Sequence, residues 1–203
     1  MPGRLLLLGG AWGLWCGAHS LLARPSVVRC VKNWLGPRHA CYRFLYNIVS
    51  LVSLVPVLQV YLWIPGKTVL FWPGWLWPVP WCMRGLAIYL LLAGGHRIDM
   101  CRFLGVVPGK PAGVHVQTGS EPLVVDGIFR YIRHPWYLAG LLLLWGRDLA
   151  ARDLVTAVLL SVYLYLGSVF EERRLLAEYG ESYRRYREEV PRFCPRFRLP
   201  RRR

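Results

Sequence analysis

Acidic residues are scarce in this chain. Only 11 Asp and Glu residues stand against 26 Lys and Arg residues, and charged residues make up 18% of the 203 positions. The six cysteines include no C-x-x-C pair, and no cysteine or histidine spacing is typical of zinc. We therefore predict no metal site. Because hydrophobic residues reach 55%, well above the share in soluble domains, a soluble globular protein is also disfavoured.

Long apolar runs dominate instead. A transmembrane helix needs about 20 apolar residues, and five windows approach that length: residues 5–23, 42–64, 80–95, 136–151 and 153–170. Only the turn sequence GRDLAARD separates the last two, so they predict a helical hairpin. We expect an all-α fold, a polytopic membrane bundle of about five helices in a single domain over residues 1–203. Residues 1–95 would hold the N-terminal spans, and 96–203 a loop, the hairpin and a C-terminal interfacial helix.

The basic residues follow an alternating pattern along the chain. They cluster after span one, between spans three and four and in the C-terminal tail, whereas the loop between spans two and three carries only Lys67. The positive-inside rule then places the N-terminus outside and the C-terminus in the cytoplasm. Because the charge follows topology, the net charge of +15 does not indicate a nucleic-acid partner. Tryptophans in the outer loop fit an interfacial belt: Trp63, Trp72, Trp75, Trp77 and Trp81.

Ionisable side chains meet at the predicted inner surface. Arg133 and His134 open span four, and Glu171 and Glu172 end span five. The hairpin would make them neighbours, either as a polar ligand pocket or as a structural ion pair. Pro135 suits the first turn of a helix. The positive end of that helix favours a carboxylate and Glu171 favours an ammonium, so the pocket would suit an amino acid moiety.

The C-terminal segment EERRLLAEYGESYRRYREEVPR is amphipathic. Its apolar and aromatic residues recur at spacings of three and four, which predicts an interfacial helix interrupted near Gly180: Leu175, Leu176, Tyr179, Tyr183 and Tyr186. A simple electrostatic anchor to anionic lipid is the alternative reading.

These motifs resemble a known group of membrane enzymes. EPLVVDGIFRYIRHPWY and EERRLLAEYGESYRRYREEVP, within residues 121–191, are similar to the isoprenylcysteine carboxyl methyltransferases and their phospholipid methyltransferase relatives. The resemblance implies S-adenosylmethionine as the cofactor and an acceptor that arrives through lipid. It also implies ten cofactor-binding positions, with no catalytic residue assigned: Leu123, Val124, Phe129, Arg133, His134, Pro135, Trp136, Tyr137, Glu171 and Glu172.

Two positions depart from the pattern of the prenylcysteine enzymes. Glu121, followed by Pro122, replaces a histidine, and Gly167 replaces an arginine that would meet a substrate carboxylate. The first departure changes a loop contact. A buried carboxylate without a partner is costly, so the second departure weighs against a carboxyl acceptor.

The N-terminal half resembles a narrower bacterial set. HSLLARP at residues 19–25 and YRFLYNIVSLVSLVPVL at residues 42–58 look like methanethiol S-methyltransferases and NnrU-like accessory proteins of nitrogen-oxide metabolism. We therefore expect a methyltransferase of the bacterial inner membrane that acts on a small or lipophilic acceptor, with thiol sulfur favoured. Methylation of a prenylcysteine carboxylate or a phospholipid amine and a non-catalytic accessory role stay open. His19 either packs structurally or reaches the pocket.

Overall fold

Helices form nearly all of the regular structure. The computed structural model describes residues 1–36, 41–96, 101, 104–105, 123 and 125–194. Two short strands, β1 (Thr68–Leu70) and β2 (Leu149–Ala150), pair antiparallel. In these ranges the chain forms seven α-helices: α1 Pro2–Leu22, α2 Pro25–Leu35, α3 Tyr42–Trp63, α4 Pro78–Gly95, α5 Pro135–Trp145, α6 Ala151–Tyr179 and α7 Glu181–Glu189. The all-α prediction is confirmed.

Four helices of the described part of the chain are long and apolar enough to cross a membrane: Pro2–Leu22, Tyr42–Trp63, Gly74–Gly95 and Ala151–Tyr179. Large apolar side chains point outward along them, with Leu14 79% and Leu92 69% exposed. Such continuous apolar surface is stable against lipid tails and unstable against water. The prediction of a multi-pass membrane protein is confirmed.

The predicted fourth span is shorter than its window of 136–151. Helix α5 has 11 residues, which is roughly 16 Å of helix and about half of a bilayer core. The helix ends at Gly146, where an added Cβ would lie 2.7 Å from the carbonyl oxygen of Leu142. Residues beyond it leave the helix because Leu149–Ala150 pairs with Thr68–Leu70.

The predicted fifth span is longer than its window of 153–170. Helix α6 has 29 residues and continues through EERRLLAEY because this stretch contains neither Gly nor Pro. Glu171 and Glu172 therefore lie inside a helix rather than at its end. The helix stops at Gly180, whose φ of 55° lies in the left-handed region that favours glycine. The predicted interruption near Gly180 is confirmed.

The helices pack side by side in the order α3, α1, α6, α5 and α4. Leu8 and Trp12 of α1 pack with Val57 of α3, and residues of α6 complete this cluster. Between α4 and α5 the contact is close because Gly94 has no side chain: an added Cβ would lie 2.3 Å from Nε1 of Trp136. Small residues at such contacts let membrane helices approach each other.

The amphipathic helix α2 was not predicted. It joins α1 to α3 and buries none of its residues.

A polar cluster closes the end of the bundle where α6 begins. Asp153 accepts hydrogen bonds from Tyr61, from Arg147 at 3.2 Å and from the backbone N–H of Ala150 at 2.8 Å. Arg152 donates to the carbonyl of Ile64 at 2.6 Å, at the end of α3. These bonds hold the turn between α5 and α6 against the end of α3. At the other end of the bundle, the start of α5 therefore lies beside the last turns of α6.

The tryptophan belt lies at this same end. Side chains of the belt are largely exposed, apart from Trp72, which is partly buried. Arg4, near the start of α1, lies over the Trp63 ring at 4.2 Å. Exposed indoles around one end of a bundle fit the headgroup level of a membrane.

Candidate active site

The predicted meeting of basic and acidic side chains occurs where α5 begins and α6 leaves the apolar layer. Glu172 is 3% exposed and binds three partners. Arg133 donates to its Oε1 from Nη2 at 2.7 Å, Arg192 donates to Oε2 at 2.7 Å, and Nε2 of His134 lies 3.2 Å from Oε1. A buried carboxylate persists only when its charge is compensated in this way. Glu172 is thus fully engaged by the protein itself.

The segment after α7 positions the basic partners. The backbone N–H groups of Arg133 and His134 donate to the carbonyls of Pro191 and Arg192 at 3.0 and 3.1 Å. The guanidinium of Arg133 also donates to the carbonyl of Arg187 at 2.7 Å. The hydrogen bonds to Glu172 raise the pKa of Arg192. Sequence analysis missed Arg192 because the turn at Gly180, rather than any local spacing, brings it back to Glu172.

The side chain of Glu171 has a different environment from that of Glu172. It faces the other side of α6, near the Tyr137 hydroxyl, and its side chain is 22% exposed. Its Oε2 is buried and has no hydrogen-bond partner among the described residues. A basic atom, Nδ1 of His134, lies 3.6 Å from Oε2. One carboxylate oxygen in the site is therefore left for another donor.

The chemistry of this oxygen defines what that donor can be. His134 contacts Glu172 through Nε2 at 3.2 Å, and its Nδ1 lies 3.6 Å from Oε2 of Glu171, beyond hydrogen-bond distance. A cation with several N–H donors, such as the ammonium of an amino acid moiety, satisfies a buried carboxylate oxygen of this kind. The residues present therefore fit the amino end of S-adenosylmethionine.

An aromatic and apolar wall borders the acidic pair. Tyr183 and Tyr186 of α7 pack with Leu175 and Val190, and Leu123 lies against this cluster. Burial raises the pKa of both tyrosines. The stripe predicted from the C-terminal segment is thus partly buried inside the protein.

Gly127 and Phe129 shape the loop beside this aromatic wall. Tyr186 donates to the carbonyl of Phe129 at 2.7 Å, and Phe129 is buried. Gly127 has a φ of 57°, which explains why this turn contains glycine. The turn brings the loop that precedes α5 against α7.

Three further predicted positions, at the start of α5, pack against neighbouring helices or lie buried. Pro135 is buried in the first turn of α5, as predicted, and Trp136 packs against Gly94 of α4. Tyr137 fills the space beside Gly167, where an added Cβ would lie 3.3 Å from the ring. Val124 lies outside the described residues, as do Glu121 and Pro122.

A basic cavity of about 410 Å³ opens beside the Glu172 network. Its volume lies within the range of small-molecule sites. The lining residues come mainly from the α5 entrance and the segment after α7: Arg133, Tyr165, Arg187, Val190, Pro191, Arg192 and Phe193.

The fold and this site define a class, the helical membrane proteins related to methyltransferases. Residues 6–191 match the family described as NnrU protein, and the chain belongs to that family. It is 30% identical to methanethiol S-methyltransferase 2 of Bradyrhizobium diazoefficiens over 88% of this chain and 68% of the relative.

Further relatives carry related names. Methanethiol S-methyltransferase of Pseudomonas deceptionensis is 28% identical over 89% of this chain and 68% of the relative. Protein-S-isoprenylcysteine O-methyltransferase of Schizosaccharomyces pombe is 34% identical over 36% of this chain and 33% of the relative. No solved structure matches. The predicted resemblance and the methyltransferase class are confirmed.

Proposed function

We propose that this protein is an integral membrane methyltransferase that uses S-adenosylmethionine and methylates a thiol that reaches the site from the bilayer. The observation that carries the proposal is the buried Oε2 of Glu171, which has no hydrogen-bond partner among the described residues and lies 3.6 Å from Nδ1 of His134. An amino acid moiety with an ammonium group supplies a donor.

This arrangement supports a set of proposed cofactor residues. Glu171 and His134 hold the ammonium, and the positive start of α5 at Pro135 favours the carboxylate. Bound S-adenosylmethionine supplies an activated methyl group on a sulfonium. Leu123 and Phe129 form the apolar border on the α7 side. Glu172, which the resemblance implies as a cofactor-binding position, already binds Arg133 and Arg192, and its contact with Nε2 of His134 orients the imidazole, so we assign it a positioning role.

The protein contributes alignment and exclusion of water, because methyl transfer from a sulfonium is an in-line displacement whose leaving group needs no acid. Tyr137 occupies the place beside Gly167, so no arginine reaches a substrate carboxylate from this position. The names of the bacterial relatives point to methanethiol, whose sulfur reacts best as a thiolate. Arg43 and Arg174 lie within electrostatic range of each other on this side of α6, and their positive charge stabilises a thiolate.

The orientation in the membrane follows from the charges. Arg24, Arg29 and Lys32 follow α1 at the end of the bundle that holds the site, and Arg173 and Arg174 extend from α6 at that same end. By the positive-inside rule this end faces the cytoplasm. The cofactor then enters from the cytoplasm, where it is made, and the N-terminus lies outside.

Titration calorimetry with S-adenosylhomocysteine on the purified full chain in detergent tests the cofactor site. We expect binding by the wild type and a loss of about tenfold or more in affinity for Glu171→Gln, which is about 1.4 kcal/mol or more. Glu181→Gln is the matched control, because Glu181 is exposed on α7 and pairs with the exposed arginines Arg184 and Arg185. It should bind like the wild type.

Methyl transfer is measured separately with labelled S-adenosylmethionine and methanethiol, with dimethyl sulfide as the product. A dissociation constant weaker than about 1 mM for wild type, or equal affinities for the Glu171 and Glu181 variants, would overturn the proposed site. Cofactor binding without methylation of methanethiol would overturn the proposed acceptor. A stoichiometric membrane partner that co-purifies with an inactive chain would support the accessory role instead.

A further inference from the structure

A second polar cluster lies at the site end of the bundle, between α1, α3 and α6. Nδ1 of His19 lies 3.1 Å from Oγ of Ser50, and Nε2 of His19 lies 2.7 Å from the hydroxyl of Tyr46. Trp15 stacks on the imidazole with ring centroids 4.9 Å apart, and the Tyr163 ring lies edge-on to it with centroids 6.4 Å apart. Polar groups placed at membrane depth are costly unless they are paired or have a function.

The hydrogen-bond partners indicate one tautomer of His19, whose Nε2 and Nδ1 lie 2.7 and 3.2 Å from the Tyr46 hydroxyl. Ser50 has one hydroxyl proton, and it is donated to the carbonyl of Tyr46 at 2.7 Å. Oγ of Ser50 is therefore an acceptor toward His19, so the imidazole proton resides on Nδ1. Nε2 of His19 then carries a lone pair and accepts the hydroxyl proton of Tyr46. A neutral imidazole whose Nε2 lone pair accepts a tyrosine hydroxyl can take up the proton of that tyrosine.

This cluster connects to the site already described. Tyr163, whose ring lies near His19, is one helical turn before Gly167 on α6, and the Tyr137 ring packs beside Gly167. The ring centroids of Tyr137 and His134 are 5.2 Å apart. A row of aromatic side chains therefore connects His19 to the residues proposed to hold the cofactor.

We propose that Tyr46 and His19 accept the proton of the acceptor thiol, an inference that rests on the methyl transfer proposed above. The thiol S–H bond breaks and its proton passes to the Tyr46 oxygen, while the Tyr46 proton passes to Nε2 of His19. The sulfur electron pair forms the new S–C bond. The old bond from the methyl carbon to the sulfonium breaks, and its electrons leave a neutral thioether. His19 ends as an imidazolium whose Nδ1 proton is held by Ser50.

The groups that face His19 from the surrounding helices support this direction of transfer. Tyr42 and Tyr46 come from α3, Tyr163 comes from α6, and Cys16 lies one turn away on α1. Arg43 is the cation of this group. None of these side chains offers an acceptor carboxylate, so the imidazole is the base of the cluster.

The test compares His19→Gln and Tyr46→Phe with a matched histidine variant, His96→Gln, on the full chain. His96 is exposed at the end of α4. Positioned general bases contribute about 100-fold or more in rate, so we expect kcat/KM with methanethiol to fall about 100-fold near pH 7 for both variants. The deficit should shrink as pH rises toward the thiol pKa, because hydroxide then supplies the thiolate without a base.

Two further measurements separate this role from packing and from the proposed function. S-adenosylhomocysteine affinity should be unchanged in both variants, and ¹⁵N-histidine spectra of the wild type, assigned by comparison with His19→Gln, should show the Nδ1–H tautomer. Parallel pH profiles for variants and wild type, equal loss in His96→Gln or an Nε2–H tautomer would overturn the proposal. If His19→Gln fails to fold, Tyr46→Phe alone decides by its pH profile. A wild type that binds no S-adenosylhomocysteine refutes the methyltransferase proposal itself.

Discussion

Replacement of Glu172 by glutamine tests whether the adjacent glutamates have separate tasks. Glu172 is 3% exposed and neutralises Arg133, whose side chain is 8% exposed. Loss of one partner of a buried pair costs about 3–5 kcal/mol. The lower part of this range applies, because Arg133 keeps the carbonyls of Arg187 and Val190 as acceptors. A loss of about 3 kcal/mol in a chain of this size lowers the melting temperature by about 6–12 °C.

Thermal unfolding in detergent, followed by tryptophan fluorescence, measures the effect. Glu171→Gln is the matched comparison, and we expect it to melt within about 3 °C of the wild type, because Glu171 lies 3.6 Å from its basic neighbour His134 and is partly exposed. In the double variant with Arg133→Gln, the loss should be smaller than the sum of the single losses, since the two residues share one interaction. A Glu172→Gln protein that melts with the wild type would refute the reasoning that assigns this side chain to stability.

Three further predictions concern packing, the helix joint and pH. Gly94→Ala should destabilise the protein by about 1–3 kcal/mol, because the new Cβ would lie 2.3 Å from Nε1 of Trp136. Gly85→Ala, on the same helix, is the control, because its Cβ would meet no atom within 4 Å. In the same melting assay it should be neutral or slightly stabilising. Gly180→Ala should cost about 1–2 kcal/mol through its φ of 55°, and equal melting temperatures would contradict this. Burial raises the pKa of Tyr186, so the unfolded chain ionises first and stability should fall as pH rises above about 10; Tyr186→Phe should show a shallower fall.

Hydropathy alone predicted the order of the apolar helices well, but only four of the five windows fall in described helices long enough to cross a membrane. The windows 5–23, 42–64 and 80–95 nearly coincide with α1, α3 and α4, because an apolar run of this length is stable in lipid only as a helix. The boundaries of the last two spans were less accurate. Hydropathy does not register that EERRLLAEY continues a helix into water, nor that Leu149–Ala150 leaves the helix to pair with a distant strand.

The sequence predicted which residues lie together at the candidate site, but not the different contacts that each of them makes. The hairpin argument brought His134 next to Glu171 and Glu172, and the structure places them at 3.6 and 3.2 Å. Arg192 and the Tyr46–His19 pair depend on contacts between helices far apart in sequence. A single sequence contains no local spacing that predicts which of several inner arginines or tyrosines will meet.

Helix geometry explains why two consecutive glutamates differ so strongly. Successive residues of an α-helix point about 100° apart, so Glu172 faces Arg133 and Arg192 while Glu171 turns toward Tyr137. Had α6 ended at residue 170, as hydropathy predicted, both carboxylates would lie in a loop with no such fixed directions. The continuation of α6 beyond the apolar layer thus separates an acid that the protein itself neutralises from the acid proposed to bind the cofactor, with His134 between them.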